Sequence, residues 1–246
     1  MVLAGQYLER SVVVSGLDAL YHRGTRKPAC AIAAPHPALG GSMHAPVVAE
    51  LAWALTRAGH PTMRFDYRGV GASRGVSRHP AGSLRIADLQ DEVEDLRRIC
   101  EHLLATTSTE SACAVGYSFG AAVALEAAAD PRIVSLALIA PPTRLYDFVA
   151  LSALRKPLLI VCAHDDDWCD RGALRLPDGA RLEVIPHSDH FFGRGLTEVG
   201  KTVAGWLRGD RPDYTASPDA PEGSVPTELE LDPGDGDPLE LDTDPE

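Results

Sequence analysis

Five residues near the middle of the chain have the spacing of a serine nucleophile held in a sharp turn: Gly116, Tyr117, Ser118, Phe119 and Gly120. They follow a short apolar run and precede an alanine-rich stretch, so a strand, a tight turn and a helix are predicted in that order. In this setting the serine hydroxyl stands above the sheet, and the small residues around it let strand and helix approach closely. The pattern predicts nucleophilic chemistry at Ser118, provided that the chain supplies a base, an acid and oxyanion donors.

A glycine-rich loop, residues 35–42, follows an earlier apolar run and could supply one oxyanion donor. The negative charge that develops on an attacked carbonyl is stabilised by two backbone N–H groups, one of them from the residue after the nucleophile. That residue is Phe119. The second donor is expected from the glycine-rich loop. Because Pro37 has no N–H, the candidates are Ala38 and Leu39, and we favour Ala38.

Candidates for the acid and the base follow two later apolar runs. Asp165, Asp166 and Asp167 come after the first of these runs, and a carboxylate there could orient a histidine and stabilise its imidazolium form. His187 and His190 come after the second run, and we favour His190 as the base. The chain order serine, aspartate, histidine is that of α/β-hydrolases and differs from the orders of two unrelated protease folds.

Alternating apolar runs and amphipathic stretches must position these residues. Strands are predicted at 9–14, 17–22, 29–34, 62–65, 112–115, 133–139, 158–163 and 181–185, and helices at 45–57, 83–104, 121–129 and 197–207. Strands separated by helices pair in parallel through crossovers, which predicts an α/β fold whose mostly parallel central sheet carries helices on both faces. The working residues of such sheets lie at the carboxyl ends of strands, where the candidates above are placed.

The net charge of −12 is concentrated at the C-terminal end of the chain. Residues 210–246 contain 13 acidic residues and one basic residue, whereas residues 1–209 contain 22 of each sign. Because residues 210–246 are also rich in proline and poor in apolar residues, we predict an acidic, disordered tail after one folded domain. The tail could solubilise the protein, or its repeated Leu-Glu-Leu-Asp could dock on a protein partner. Nucleic acid is not expected as a partner, since the body has no basic excess.

The remaining composition favours a cytoplasmic protein. Five cysteines without a Cys-x-x-Cys pair argue against a disulfide framework. The first ten residues lack the basic region and long apolar run of a signal peptide. No apolar run approaches the roughly 18–20 residues that a membrane-spanning helix needs, so no membrane span is expected.

Four motifs together resemble compact bacterial α/β-hydrolases close to the dienelactone hydrolases and the prolyl-oligopeptidase-type esterases. They are Gly-Tyr-Ser-Phe-Gly at 116–120, His-Pro-x-x-Gly-Gly-Ser-Met at 36–43, Arg-Phe-Asp-Tyr-Arg-Gly-Val-Gly-x-Ser at 64–73 and Asp-His-Phe-Phe at 189–192. The resemblance covers residues 6–208 and implies an α/β-hydrolase domain at 1–209. In this family the acid often closes a His-Gly-x-x-Asp pattern. Cys162 and Ala163 stand at the His-Gly positions here, which points to Asp166, with Asp165 and Asp167 as alternatives.

The resemblance implies a serine hydrolase that cleaves an ester-like bond, a carboxylic ester or a thioester, through an acyl-enzyme. It implies no cofactor and no metal. A serine replaces the cysteine of dienelactone hydrolases proper, so their lactone substrate does not carry over. Residues 140–157 leave room for a loop or one short helix at 143–154, and no large lid domain is predicted. An open site for a small acyl substrate is expected, with a lining that comprises His36, Leu39, Tyr117, Trp168 and Phe191.

Two alternatives belong to other functional classes. A non-catalytic binding or scaffold protein of the same fold would be expected to lack one residue type of the triad, and none is missing. An acyltransferase or a perhydrolase would use the same three residues and would differ only in the acceptor that reaches the acyl-enzyme.

Overall fold

The computed structural model of the chain describes residues 9–78 and 88–210, and the structural statements that follow concern these residues. The strands are β1 (Arg10–Val14), β2 (Leu17–His22), β3 (Ala29–Ala33), β4 (Thr62–Phe65), β5 (Ala112–Tyr117), β6 (Ile133–Ile139), β7 (Leu158–Ala163) and β8 (Arg181–Ile185). The helices are α1 (Pro46–Arg57), α2 (Gln90–Thr106), α3 (Phe119–Ala127) and α4 (Leu196–Arg208). The predicted acidic tail lies outside the described residues from 211 onward.

The strands form one sheet in the order β1-β2-β4-β3-β5-β6-β7-β8. Neighbours from β4 to β8 pair in parallel, whereas β1 pairs antiparallel with β2, and β2 antiparallel with β4. The prediction of a mostly parallel sheet is therefore confirmed. Because β5 lies between β3 and β6, the loops that follow these three strands meet at one edge of the sheet.

Helices cover the central strands on both faces, which explains why most residues of these strands are apolar. β3, β5 and β7 consist wholly of buried residues, as expected of parallel strands that are covered on both faces. α1 packs against α4, and α2 against α3. α2 buries a helical stripe formed by Val93, Leu96, Ile99, Cys100 and Leu103. None of the helices in the described residues is long and apolar enough to cross a membrane.

The observed elements differ from the predicted ones mainly at their ends. β5 continues through Gly116 to Tyr117, so the first residues of the turn around the serine belong to the strand. α2 begins at Gln90, and the predicted start at 83 lies outside the described residues. The predicted helix at 143–154 is represented by a short 3₁₀ turn at Val149–Ala153.

The connection between β6 and β7, residues 140–157, is called the short connection below. Leu151 is fully buried in it, and Tyr146 and Phe148 are also part of the core. The short connection therefore packs onto the domain and contains no lid domain, as the sequence predicted.

Candidate active site

Ser118 stands at the turn between β5 and α3 in a backbone conformation that residues other than glycine rarely adopt. Its φ is 55° and its ψ is −119°. The Ser118 N–H donates to the carbonyl of Ile139 on β6 (2.8 Å), and α3 begins at the next residue, Phe119. The strained turn is thus fixed by a strand on one side and a helix on the other, which gives the serine side chain a defined place at the sheet edge.

Two glycines allow α3 to lie directly against the sheet. A Cβ atom on Gly116 would overlap the backbone carbonyl of Gly120. A Cβ atom on Gly120 would overlap the backbone carbonyl of Ala33 on β3. In both cases the obstacle is backbone, which cannot rotate away as a side chain can. The absence of a Cβ atom at both positions therefore allows the turn that carries Ser118 to lie close to the neighbouring strand.

Replacing either glycine by alanine is expected to destabilise the fold by about 3 kcal/mol, the upper end of the usual cost of overpacking. Gly205→Ala is the matched control, because a Cβ atom at this position in α4 meets no atom closer than 3.5 Å. Alanine should there raise the stability slightly, since it favours helix. Urea unfolding of Gly116→Ala, Gly120→Ala and Gly205→Ala measures the difference. Equal free energies of unfolding for all three variants would contradict this explanation of the glycine pair.

The structure brings three predicted site residues into one hydrogen-bonded chain. The Oγ atom of Ser118 lies 2.9 Å from Nε2 of His190. Nδ1 of the same imidazole lies 2.9 and 2.8 Å from the two carboxylate oxygens of Asp166. The side chains of His190 and Asp166 are 6% and 1% exposed, so the hydrogen bonds between these three residues are largely shielded from water. With a proton on Nδ1, Nε2 is free to accept one from the serine.

The three consecutive aspartates are separated by the geometry of the turn at residues 164–170, called the acid turn below. Only Asp166 contacts His190; it also accepts a hydrogen bond from the N–H of Trp168 (2.9 Å). Asp165 is exposed and lies 2.6 Å from Nδ1 of the neighbouring His164, and Asp167 is exposed as well. His187, the other candidate base, is also exposed and makes no contact with the serine.

The two predicted oxyanion donors have different surroundings. Phe119 is the first residue of α3, so its N–H lies at the positive end of a helix and next to the serine. The Ala38 N–H instead donates to Nδ1 of His36 (3.1 Å) within a 3₁₀ turn, and the Leu39 N–H donates to the His36 carbonyl (3.1 Å). The Phe119 amide thus lies beside Ser118 at the N-terminus of α3, while the amides of Ala38 and Leu39 are directed into their own turn.

Charged residues at the end of β4 bind the backbone of the residue that directly follows the glycine-rich loop. Oδ1 of Asp66 accepts a hydrogen bond from the N–H of Met43 (2.6 Å), and Nη1 of Arg64 donates to the Met43 carbonyl (2.9 Å). Asp66 is buried, and burial raises the pKa of its carboxyl above the ordinary value. The motif at 64–73 therefore helps to hold the glycine-rich loop in place.

The predicted lining residues fall into two groups. Leu39 and Phe191 are 48% and 63% exposed at the surface, and Trp168 packs against both Phe191 and the base, with its ring centroid 4.5 Å from that of His190. His36 is buried against Phe119, with ring centroids 4.8 Å apart. Tyr117 is buried too, and its hydroxyl donates to the backbone carbonyl of His190 (3.1 Å). Only the first group is placed to meet a molecule arriving from solvent.

The acid turn is joined to the short connection by contacts that the sequence did not indicate. Oγ1 of Thr143 accepts a hydrogen bond from the N–H of Asp170 (2.7 Å) and donates to the Asp170 carbonyl (3.1 Å). The N–H of Arg144 donates to the carbonyl of Trp168 (3.2 Å). No sequence signal marked Thr143, because its partner lies 27 residues away. The short connection thus supports the turn that carries Asp166.

Comparison with known proteins agrees with this architecture. A sequence model of the family described as serine aminopeptidase S33 matches residues 36–164, a range that includes Ser118 and all but the first residue of the glycine-rich loop. An uncharacterized protein of Rickettsia prowazekii (strain Madrid E) is 26% identical in an alignment of 195 positions, which covers 73% of this chain and 78% of that protein.

Two solved structures extend the likeness to three dimensions. An α/β serine hydrolase homologue from Coxiella burnetii has a TM-score of 0.70 and 27% identity, and the match covers 84% of this chain and 99% of that one. A serine hydrolase without lid from Xanthomonas campestris has a TM-score of 0.66 and 28% identity, over 82% of this chain and 92% of that one. The predicted α/β-hydrolase fold is confirmed.

Proposed function

The chain belongs to the serine aminopeptidase S33 family of α/β serine hydrolases, and on that basis we propose that it cleaves ester-like bonds of small acyl substrates. The observation that carries the proposal is the hydrogen-bond chain from Ser118 through His190 to Asp166, with distances of 2.9 and 2.8 Å. In it Ser118 is the nucleophile, His190 the general base and Asp166 the carboxylate that orients the base.

The acylation step follows from these distances. As Oγ of Ser118 bonds to the carbonyl carbon of an ester or thioester, its proton passes to Nε2 of His190, and the carbonyl oxygen becomes an oxyanion. Asp166 holds the proton on Nδ1 and stabilises the imidazolium that forms. When the tetrahedral intermediate collapses, the bond to the alcohol or thiol breaks, and the leaving group takes the proton from Nε2.

Deacylation repeats the same proton movements with water. Nε2 of His190 takes a proton from a water molecule as that water attacks the carbonyl carbon of the acyl-enzyme. When this second tetrahedral intermediate collapses, the bond between the carbonyl carbon and Oγ of Ser118 breaks, the carboxylic acid leaves, and Nε2 returns the proton to Oγ. In both steps we assign the stabilisation of the oxyanion to the N-terminus of α3, through the Phe119 amide. The second amide, predicted at Ala38, would have to release its hydrogen bond to His36 before it could contribute.

Two features support a small ester or thioester as the substrate. The short connection adds no lid that could enclose a long acyl chain. The exposed side chains of Leu39, on the glycine-rich loop, and of Phe191, whose ring contacts the base, offer apolar area for a short acyl or alcohol group. A peptide bond, which the name of the family suggests, would use the same three residues, so it is the alternative that the experiment must separate.

The experiment measures kcat/KM for p-nitrophenyl acetate, butyrate and palmitate and for an aminoacyl p-nitroanilide. Each value is divided by the rate of uncatalysed hydrolysis, because esters are more reactive than anilides without any enzyme. We expect the highest corrected values for acetate or butyrate. Preference for palmitate would refute the small-substrate proposal, and a higher corrected value for the anilide would identify a peptidase. Absence of hydrolysis and of labelling by a fluorophosphonate would favour the non-catalytic alternative.

A further inference from the structure

Tyr117 connects the strand that carries the nucleophile to the segment that carries the base. It is the last residue of β5 and directly precedes Ser118. Its hydroxyl donates to the backbone carbonyl of His190 at 3.1 Å. Its ring lies 5.9 Å from the imidazole of His190 and 6.5 Å from the ring of Phe192. Because only 4% of its surface is exposed, Tyr117 offers little area to a substrate and instead packs against the base.

The base lies in a turn at residues 186–195, called the base turn below. Hydrogen bonds from its own side chains and from the acid turn hold it in place. Oδ1 of Asp189 accepts hydrogen bonds from the N–H groups of Phe191 (3.1 Å) and Gly193 (3.2 Å). Oγ of Ser188 donates to the Arg194 carbonyl (2.7 Å), and the Ser188 carbonyl accepts from the N–H of Asp165 (2.9 Å). These bonds fix the shape of the base turn and its distance from the acid, but none of them reaches β5.

We propose that Tyr117 is a positioning residue, whose hydroxyl holds the base turn at the distance from β5 that lets Nε2 of His190 meet the serine hydroxyl. The inference rests on the proposed function, since it concerns the geometry of the same proton transfer. A hydrogen bond to the His190 carbonyl fixes the peptide group beside the base and therefore the direction of its side chain. The contact between the Tyr117 ring and the imidazole of His190 limits the movement of that imidazole.

The phenol group suits this task because it stays a donor. Burial raises the pKa of the Tyr117 hydroxyl well above its ordinary value, and the nearby carboxylates of Asp166 and Asp189 raise it further. The group is therefore protonated at every pH at which an esterase assay is run.

Tyr117→Phe is the direct test, because it removes only the hydroxyl and keeps the buried ring. Small misplacements of a reacting group are costly, a shift of 1 Å being worth of order 10² in rate, so we expect kcat to fall roughly 10- to 100-fold. KM should stay unchanged, because Tyr117 offers little surface to the substrate. Tyr21→Phe is the matched control: it makes the same chemical change on β2, away from the serine, and should leave kcat as it is.

Three readouts separate positioning from a general loss of stability. The rate of Ser118 labelling by a fluorophosphonate should fall with kcat in Tyr117→Phe. The downfield proton resonance of the Nδ1–H group of His190 should broaden or shift, and circular dichroism should show a folded protein at the assay temperature. Unchanged kcat and labelling rate in Tyr117→Phe, with a reactive wild type, would overturn the inference. If the wild type itself does not react with the probe, the proposed function fails instead.

Discussion

Replacing Ser118 by alanine is expected to lower kcat for ester hydrolysis by a factor of about 10⁶, the effect of losing the nucleophile in comparable triads. Without Oγ there is no atom 2.9 Å from Nε2 of His190 to be activated, and no acyl-enzyme can form. The variant should still hydrolyse the ester about 10³–10⁴ times faster than the uncatalysed reaction in water, because oxyanion stabilisation remains. Steady-state hydrolysis of p-nitrophenyl acetate measures the loss.

The matched control is Ser135→Ala, which removes the hydroxyl of another buried serine, on β6. We expect this variant to keep the wild-type rate and to gain the mass of the fluorophosphonate adduct, while Ser118→Ala gains none. An adduct on Ser118→Ala would show that a different residue is the nucleophile. The labelling experiment also excludes a trace contaminant as the source of the activity, since a contaminant would be unaffected by either substitution.

Asp166→Asn is expected to lower kcat by a factor of about 10⁴, as the same change does in a comparable triad. An amide in place of the carboxylate can donate to Nδ1, which favours the imidazole tautomer with its proton on Nε2. In that tautomer the base cannot accept the proton of Ser118. The loss therefore does not require any movement of the backbone, and the melting temperature should change far less than kcat does.

Asp165→Asn provides the comparison for this substitution. The Asp165 side chain is 62% exposed and contacts His164, so its neutralisation should leave kcat unchanged. A large loss of activity in Asp165→Asn and a small one in Asp166→Asn would mean that the acid turn is arranged differently from the arrangement described above. Asp167→Asn tests the remaining candidate in the same assay.

The position of the candidate triad was accessible from the sequence because it follows from strand order. Ser118, Asp166 and His190 come after β5, β7 and β8, and parallel strands of one sheet end at the same edge. Periodicity alone indicates those strands, so the three residues could be brought together without coordinates. It could not indicate which of three adjacent aspartates turns inward, because that depends on the bond from the Trp168 N–H to the Asp166 carboxylate.

Other contacts depend on local geometry that no sequence pattern reveals. The Ala38 amide was a reasonable oxyanion donor from its place in the glycine-rich loop, but the side chain of His36 accepts its hydrogen bond. The sequence predicts Tyr117 in the lining of the substrate site. Since β5 continues through Tyr117, its side chain is buried and reaches a carbonyl 73 residues further along the chain.

The close approach of backbone at Gly116 and Gly120 limits how this scaffold can evolve. Any side chain at either position must displace a helix or a strand, so these two positions are closed to selection for a new substrate. Leu39 and Phe191 stand on loops at the surface, where substitutions disturb little of the core. Natural diversification, and mutant libraries made in the laboratory, should find new specificities in the glycine-rich loop and the base turn.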